Sequence, residues 1–325
     1  MKKYIIGVDI GGTKIAAGIT DQKGRLKSKV MIPTFARKGF KTSISQVYKA
    51  VNDVIEKSGI KKSAVKGIGV CAPGPLDPVT GIVYNPPNLP GWKNVLLADM
   101  MKKTFHKPVA LENDANAAGI AEVLWGSAKG YKHVFYVTVS TGIGTAVIID
   151  GKIYHGKNGM AGEGGHATIN YDDKRAVCNC GNVGCIETLA SGPATVKSFL
   201  SKYKKVKNKK AFARHLTSVD KDVLTMKDIG DAAKKGNKYA KEHIEKQAEM
   251  IGIWLGSMIS VLDPEIIVIG GGVSNSGRIF FDGIKKTIPK HTINKKAGET
   301  KVVRARLRHD VGILGAASIM MGETV

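Results

Sequence analysis

Tyr4-Ile-Ile-Gly-Val-Asp-Ile-Gly-Gly-Thr-Lys14 is a short apolar run that breaks into a glycine-rich turn, and Ile15-Ala-Ala-Gly-Ile-Thr20 reads as the strand that returns from it. The pair predicts a hairpin with glycines at its bend. A turn at Lys23-Gly24 leads to a third strand over 26–32, and Ile44, Val47, Val51, Val54 and Ile55 then recur at helical spacing. Val65-Lys-Gly-Ile-Gly-Val-Cys71 returns to strand. The order repeats more than a hundred residues later: His133-Val-Phe-Tyr-Val-Thr-Val139 runs into Ser140-Thr-Gly-Ile-Gly-Thr145, then Ala146-Val-Ile-Ile149, a turn at Asp150-Gly151 and Lys152-Ile-Tyr154. Taken singly, each copy is a plain hairpin. Two copies predict a duplicated α/β lobe, each presenting a glycine turn to a shared cleft, where backbone amides can approach phosphate oxygens.

A chain of 325 residues exceeds the comfortable size of one core, which also favours two lobes. No stretch reaches the roughly 18 uncharged apolar residues of a membrane span, and Met1-Lys-Lys runs into strand without a signal-peptide pattern. A cytoplasmic protein with no membrane partner is expected. The formal net charge of +23 invites a polyanion or nucleic-acid partner. Its lysines are scattered, however, and the one dense stretch, Lys202-Tyr-Lys-Lys-Val-Lys-Asn-Lys-Lys210, lacks the apolar periodicity of a recognition helix. It reads as a solvated loop or helix end, with a polyanion-binding patch as the alternative.

Three of the four cysteines, Cys178, Cys180 and Cys185, fall within eight residues and shortly after His166. Three thiolates and one imidazole complete a tetrahedral zinc shell, and a shell with no vacant position holds structure rather than activating water. Glu163 and Glu187 flank the set, so an ion pinning the two segments brings two carboxylates together, as a polyol pocket needs. The His166 nitrogen that does not face the ion is left to a substrate hydroxyl. Read singly, either glutamate is a solvated surface acid. Cys71, at the end of its apolar strand, reads as buried packing.

Glu112-Asn-Asp-Ala-Asn116 opens a helix, with Asn113 or Asp114 at its N-cap, and three polar residues in a row at the lobe junction suggest more than capping. A long core helix spans 239–262. It is followed by Glu265-Ile-Ile-Val-Ile-Gly270-Gly271-Gly272, a buried strand entering a turn without side chains, against which a flat ring or ribose can lie. A helix over 280–288, a strand at Val302-Val-Arg-Ala-Arg306 and a helix over 313–320 close the chain.

These stretches together resemble the ROK family of sugar kinases and sugar-responsive repressors, within the actin-like ATPase superfamily. Asp9-Ile-Gly-Gly-Thr-Lys14 is similar to its first phosphate motif, Glu112-Asn-Asp-Ala-Asn116 to its catalytic segment and Ser140-Thr-Gly-Ile-Gly-Thr145 to its second phosphate motif. Gly162-Glu-Gly-Gly-His166 with Cys178-Asn-Cys-Gly-Asn-Val-Gly-Cys-Ile-Glu187 resembles the family signature. The resemblance implies a two-lobed actin-like ATPase (ribonuclease H-like) fold, with duplicated mixed β-sheet lobes, flanking helices, a central cleft and a zinc-bound loop. The small lobe would comprise 1–112 plus 311–325 and the large lobe 113–310.

It further implies that Asn113, Asp114, Glu163, His166 and Glu187 hold sugar hydroxyls, with Asp114 as the base. ATP would lie on Gly11, Gly12, Thr13 and Lys14 from one lobe and on Thr141, Gly142, Gly271 and Gly272 from the other, with Asp9 near Mg2+. The zinc would be structural, on His166, Cys178, Cys180 and Cys185. Pro73-Gly-Pro-Leu-Asp77 and Pro87-Asn-Leu-Pro-Gly-Trp92 resemble the glucokinase branch and bring Gly74 and Asn88 to the sugar. Kinases for N-acetylated mannosamine usually carry an arginine near Pro75, so glucose is the expected substrate, phosphorylated at its 6-hydroxyl. Polyphosphate is an alternative donor on the strength of the charge. A repressor is disfavoured because only Met1-Lys-Lys precedes the first strand, where family repressors carry a helix-turn-helix segment. No specific nucleic acid is expected, and the resemblance implies a homodimer or homotetramer.

Overall fold

A computed structural model describes residues 3–322. The first hairpin forms as β1 (Tyr4–Ile10) and β2 (Lys14–Asp21), with β3 (Leu26–Pro33) antiparallel to β2. Helix α1 (Phe40–Ser58) stops where Gly59 turns left-handed at φ 66°, a conformation that carries no Cβ penalty at glycine. β4 (Val65–Ala72) runs parallel to β1. A small hairpin, β5 (Leu76–Asp77) with β6 (Ile82–Val83), and helix α2 (Leu97–Phe105) precede β7 (Val109–Asn113), which is parallel to β4 and leads straight into α3 (Asp114–Trp125).

The second series begins with β8 (Val134–Val139), β9 (Ile143–Ile149) and β10 (Lys152–Ile153). Five helices follow: α4 (Ile186–Ala190), α5 (Gly192–Lys205), α6 (Lys209–Ala213), α7 (Met226–Lys234) and the long α8 (Lys238–Leu262). β11 (Ile266–Gly270), α9 (Arg278–Thr287), β12 (Lys301–Arg304) and α10 (Val311–Ile319) complete the chain. The two large sheets run in the orders β3-β2-β1-β4-β7 and β10-β9-β8-β11-β12. Strand for strand the two orders correspond, so the repeat seen in the sequence is a duplicated sheet topology.

The chain divides into two compact units, Met1–Val134 with Ala146–Gly162 and Ala305–Val325, and Phe135–Thr145 with Glu163–Arg304. Helix α3, drawn from the sequence into the large lobe, packs within the first unit against α10 and β7. In that unit Ile6, Val8 and Ile10 share a core with Ile44, Val47, Val51 and Val54 of α1. Alternate residues of a strand point to opposite faces, and the other face meets α10 through glycines. A Cβ on Gly7 would overlap the Ile313 carbonyl, and one on Gly69 the Ala316 carbonyl, so helix backbone lies directly on the sheet. Each fully buried aliphatic side chain is worth roughly 1.5–3 kcal/mol relative to exposure. This sandwich of helix, sheet and helix therefore fixes the carboxyl ends of β1, β4 and β7.

In the second unit α8 buries Ile244, Ile251, Trp254, Leu255 and Ile259, and β11 is buried along its whole length. The basic stretch runs from a helix end through a short link into a second helix: Lys202, Lys204 and Lys205 occupy the last turn of α5, where cations oppose the helix dipole, and Lys209 and Lys210 begin α6. Lys202 and Lys205 border an open groove with His243 and Lys246 of α8. No described helix is long and apolar enough to cross a membrane.

Candidate functional site

The expected site residues gather in two groups, one in each compact unit. In the first, parallel pairing puts Asp9 of β1 beside Cys71 of β4, and Cys71 beside Glu112 of β7, with Ala72 beside Asn113. Three strand ends thus present their polar groups in one row, the usual location of a site on parallel strands. The Cys71 thiol donates to Asp9 Oδ1 at 3.6 Å and lies 3.5 Å from the Gly312 carbonyl. Burial first, then the negative charges of Asp9 and Asp114, push this thiol up, so Cys71 stays protonated and serves packing. Burial also raises the Asp9 carboxyl, against the opposing effects of the Cys71 hydrogen bond and the Lys14 charge.

The turn after β1 closes by a bond from Gly11 N to the Lys14 carbonyl (3.0 Å), and Thr34 Oγ1 donates to the Gly11 carbonyl (2.6 Å). Thr13 and Lys14 are exposed on it. Gly12 abuts the Asn88 carbonyl so closely that a Cβ would overlap it, which brings Asn88 to the turn after β1. Gly74 follows β4 with a cis peptide bond to Pro75. Asn113 is the N-cap of α3: its Oδ1 accepts from Ala115 N (2.9 Å) and Asn116 N (3.3 Å). Asp114 stands exposed at the first helical position, with Oδ1 accepting from Ala115 N at 2.8 Å.

The second group is built around the ends of β8, β9 and β11. The Thr141-Gly142 turn closes by Ser140 N to the Gly142 carbonyl (2.9 Å). Gly271, at φ 81°, lies against the Val139 carbonyl, and Gly272 has open space where a side chain would be, leaving its backbone approachable. Glu187, in the first turn of α4, accepts from Ile143 N through Oε2 at 2.9 Å. Gly164 N donates to Thr145 Oγ1 at 3.0 Å, and the buried Trp254 ring packs beneath Gly164. Both segments carrying the expected sugar carboxylates are therefore fastened to the same hairpin. Glu163 itself is exposed, its Oε2 3.9 Å from His166 Nε2.

The ligand atoms of His166, Cys178, Cys180 and Cys185 all lie within 4.8 Å of one another, so the set can hold a metal ion. Zn–S bonds of about 2.3 Å and Zn–N bonds of about 2.0–2.1 Å in a tetrahedron imply S···S near 3.8 Å and N···S near 3.5 Å. Cys180 Sγ and Cys185 Sγ are 3.7 Å apart, and Cys178 Sγ lies 3.5 Å from His166 Nδ1. The spacing fits zinc and assigns Nδ1 to the ion side, leaving Nε2 toward Glu163. Burial opposes charge at Cys178, yet the Cys180 amide and the Thr188, Cys180 and His166 side chains hold its thiol down to about 7. At Cys185, burial and the hydrogen bonds from Cys180 and Cys178 push the thiol up to about 12. Such a group becomes fully anionic only with a cation among the sulfurs.

The sequence did not single out His155. Its Nε2 lies 2.7 Å from Oε2 of the buried Glu112, across 43 residues of chain. No local pattern marks that pairing.

A family model described as the ROK family matches residues 5–323. The chain is 33% identical over 319 residues to a glucokinase of Thermotoga maritima, with 98% of each protein covered. It is 32% identical to a ROK family glucokinase from Streptomyces griseus crystallised with glucose and AMPPNP, at a TM-score of 0.83 and covering 97% of this chain and 98% of that one. It is also 30% identical over 324 residues to a xylose repressor of Caldicellulosiruptor bescii, covering 98% of this chain and 78% of the repressor.

Proposed function

Because the chain belongs to the ROK family and has its actin-like ATPase fold, we propose that it is an ATP-dependent glucokinase that phosphorylates glucose at the 6-hydroxyl, with Asp114 as general base. The observation that carries this reading is the exposed carboxylate of Asp114 at the start of α3, beside an Asn113 whose Oδ1 is committed to the helix amides. Asn113 would then meet sugar oxygens with its amide NH2. Glu187 would use the oxygen not bonded to Ile143, and His166 would use Nε2. Glu163, Gly74 and Asn88 complete the sugar contacts.

Phosphoryl transfer asks little covalent work of a protein. Asp114 accepts the proton of the attacking hydroxyl, and the backbone amides of the two glycine turns with Lys14 offset charge on the phosphates. Gly11, Gly12, Thr13, Lys14, Thr141, Gly142, Gly271 and Gly272 would hold ATP, and Asp9 would lie near Mg2+. Bound magnesium supplies charge neutralisation at the phosphates. Zinc would be structural, joining the Glu163 and Glu187 segments. Support comes from the glucokinase relatives and, in particular, from the relative crystallised with glucose and a nucleotide analogue.

The test is a donor-by-sugar matrix: ATP and polyphosphate against glucose, mannose, fructose and N-acetylmannosamine, with zinc present. Glucose-dependent ADP release that exceeds that of the other sugars is expected, and its absence sinks the assignment. A donor preference for polyphosphate, lost steeply as salt rises, would instead favour the reading motivated by the net charge of +23. The repressor relative motivates a sugar-responsive regulator as the second reading. Sequence-specific DNA retention at moderate salt, relieved by sugar and without turnover, would favour it, whereas retention that vanishes with salt reflects charge alone.

A further inference from the structure

Asp114 is bracketed by partners of one buried side chain. Glu112 commits both carboxylate oxygens: Oε1 accepts from Asn113 N (2.8 Å) and from Asn116 Nδ2 (3.0 Å), and Oε2 meets His155 Nε2 at 2.7 Å. Asn113 and Asn116 lie on either side of Asp114 in the chain, and the Asn113 side chain caps the turn to which Asn116 belongs. An ionised Glu112 only accepts, and with the Nε2–H tautomer of His155 the ring donates to Oε2. The histidine ring is 30% exposed, whereas the Glu112 side chain is 4% exposed. Asp9, Glu112 and Asp114 all act electrostatically on the Cys71 thiol, so three carboxylates converge at these strand ends. Removing the imidazole would leave Oε2 of the buried Glu112 without this partner, which is unfavourable. The carboxylate would have to turn or draw in water, and both asparagines are bonded to the oxygen that would move with it.

We infer that Glu112 and His155 are a positioning pair that fixes the start of α3, and with it the orientation of the Asp114 carboxylate toward the hydroxyl it deprotonates. This rests on the hexose kinase assignment above and adds two residues to it, in a positioning rather than a substrate-binding role. Proton transfer demands alignment within hydrogen-bond reach, and a misplacement of about 1 Å can cost about a hundredfold in rate. The pair thus acts mainly on turnover, with a smaller effect on sugar binding because Glu112 also holds the Asn113 backbone.

The test compares steady-state kinetics and melting temperatures of the full-length wild type with those of His155→Ala, His155→Gln and Glu112→Gln, each with and without added imidazole. For His155→Ala, kcat is expected to fall about 10- to 100-fold, while KM for ATP stays within about twofold and KM for sugar rises by less than kcat falls. Imidazole should restore part of the lost kcat, because the pocket it would enter is partly open. His155→Gln, whose amide can still donate to Oε2, should lose less. An unchanged kcat in His155→Ala, a loss confined to sugar KM, or a lowered melting temperature with no imidazole rescue would each overturn the inference. If His155→Ala does not fold, wild-type turnover in both glutamine variants overturns it. A wild type inactive on every hexose overturns the kinase assignment and this inference together, whereas an active wild type with unchanged variants overturns the inference alone.

Discussion

At the edge of the first sheet a buried carboxylate, Glu112, ties β7 to α3 and to His155, whereas at the edge of the second a four-ligand cluster fastens the segments that carry Glu163 and Glu187 near β9. The strand orders match, so topology alone does not decide how a site is braced. The first edge is held by packing: two strands ride on α10 through Gly7 and Gly69, and its polar groups satisfy one another. The second edge is a set of loops with little regular structure around residues 163–185, and its four candidate ligands are spaced so that they could hold a metal ion. One half of the duplicated topology carries a polar cluster held by packing, and the other carries a ligand set spaced to hold a metal ion.

The largest expected effect separates chemistry from binding at the first edge. Asp114→Asn should lower kcat by about 10²- to 10⁴-fold, the usual contribution of general-base catalysis, with sugar KM little changed. Preserved turnover with a large loss of glucose affinity would remove Asp114 as the base. Next comes the second edge. Cys180→Ser or a chelator should strip zinc, weaken sugar binding about 10- to 100-fold and lower the melting temperature in the same titration. A metal-free protein that binds glucose normally would erase the contrast between the two edges.

A smaller effect should confine itself to packing. Gly69→Ala puts a Cβ into the Ala316 carbonyl, and overpacking of this kind costs about 1–3 kcal/mol. Denaturation curves should register that loss while zinc content stays at the wild-type level; zinc loss in this variant would mean the two edges are not braced separately. The smallest expected change is Asn113→Ala, which removes the α3 cap at about 0.5–2 kcal/mol. A rise in sugar KM larger than that loss of stability explains would sharpen the assignment of its amide to the sugar.

Much of this was legible in the sequence because the signals are local. Strand periodicity broken by glycine marks β1–β2 and β8–β9, and the regular apolar face of α8 marks a long helix. Asn113 and Asp114 were readable as a helix start for the same reason. Three cysteines in eight residues announce a ligand set by residue type alone. The short helices α4, α6 and α7 carry too few turns for periodicity to show, and the α2 pattern sits among loops. The contacts that orient the site are long-range: Glu112 with His155 and Ile143 with Glu187 span 43 and 44 residues. Nothing at either end of such a bond announces its partner, so only the folded chain reveals it.

Trp254 gives the second edge a built-in optical reporter. Its indole is wholly buried, its N–H has no hydrogen-bond partner among the described residues, and it lies under Gly164, two residues from His166 of the candidate metal cluster. Any rearrangement that lets solvent reach the ring should shift its emission to longer wavelength. Trp92, buried in the first unit with its N–H on Ser43 Oγ, supplies an internal reference whose signal should stay constant. Loosening of the loops could thus be followed in unlabelled protein, in real time, with single-tryptophan variants assigning each component of the spectrum.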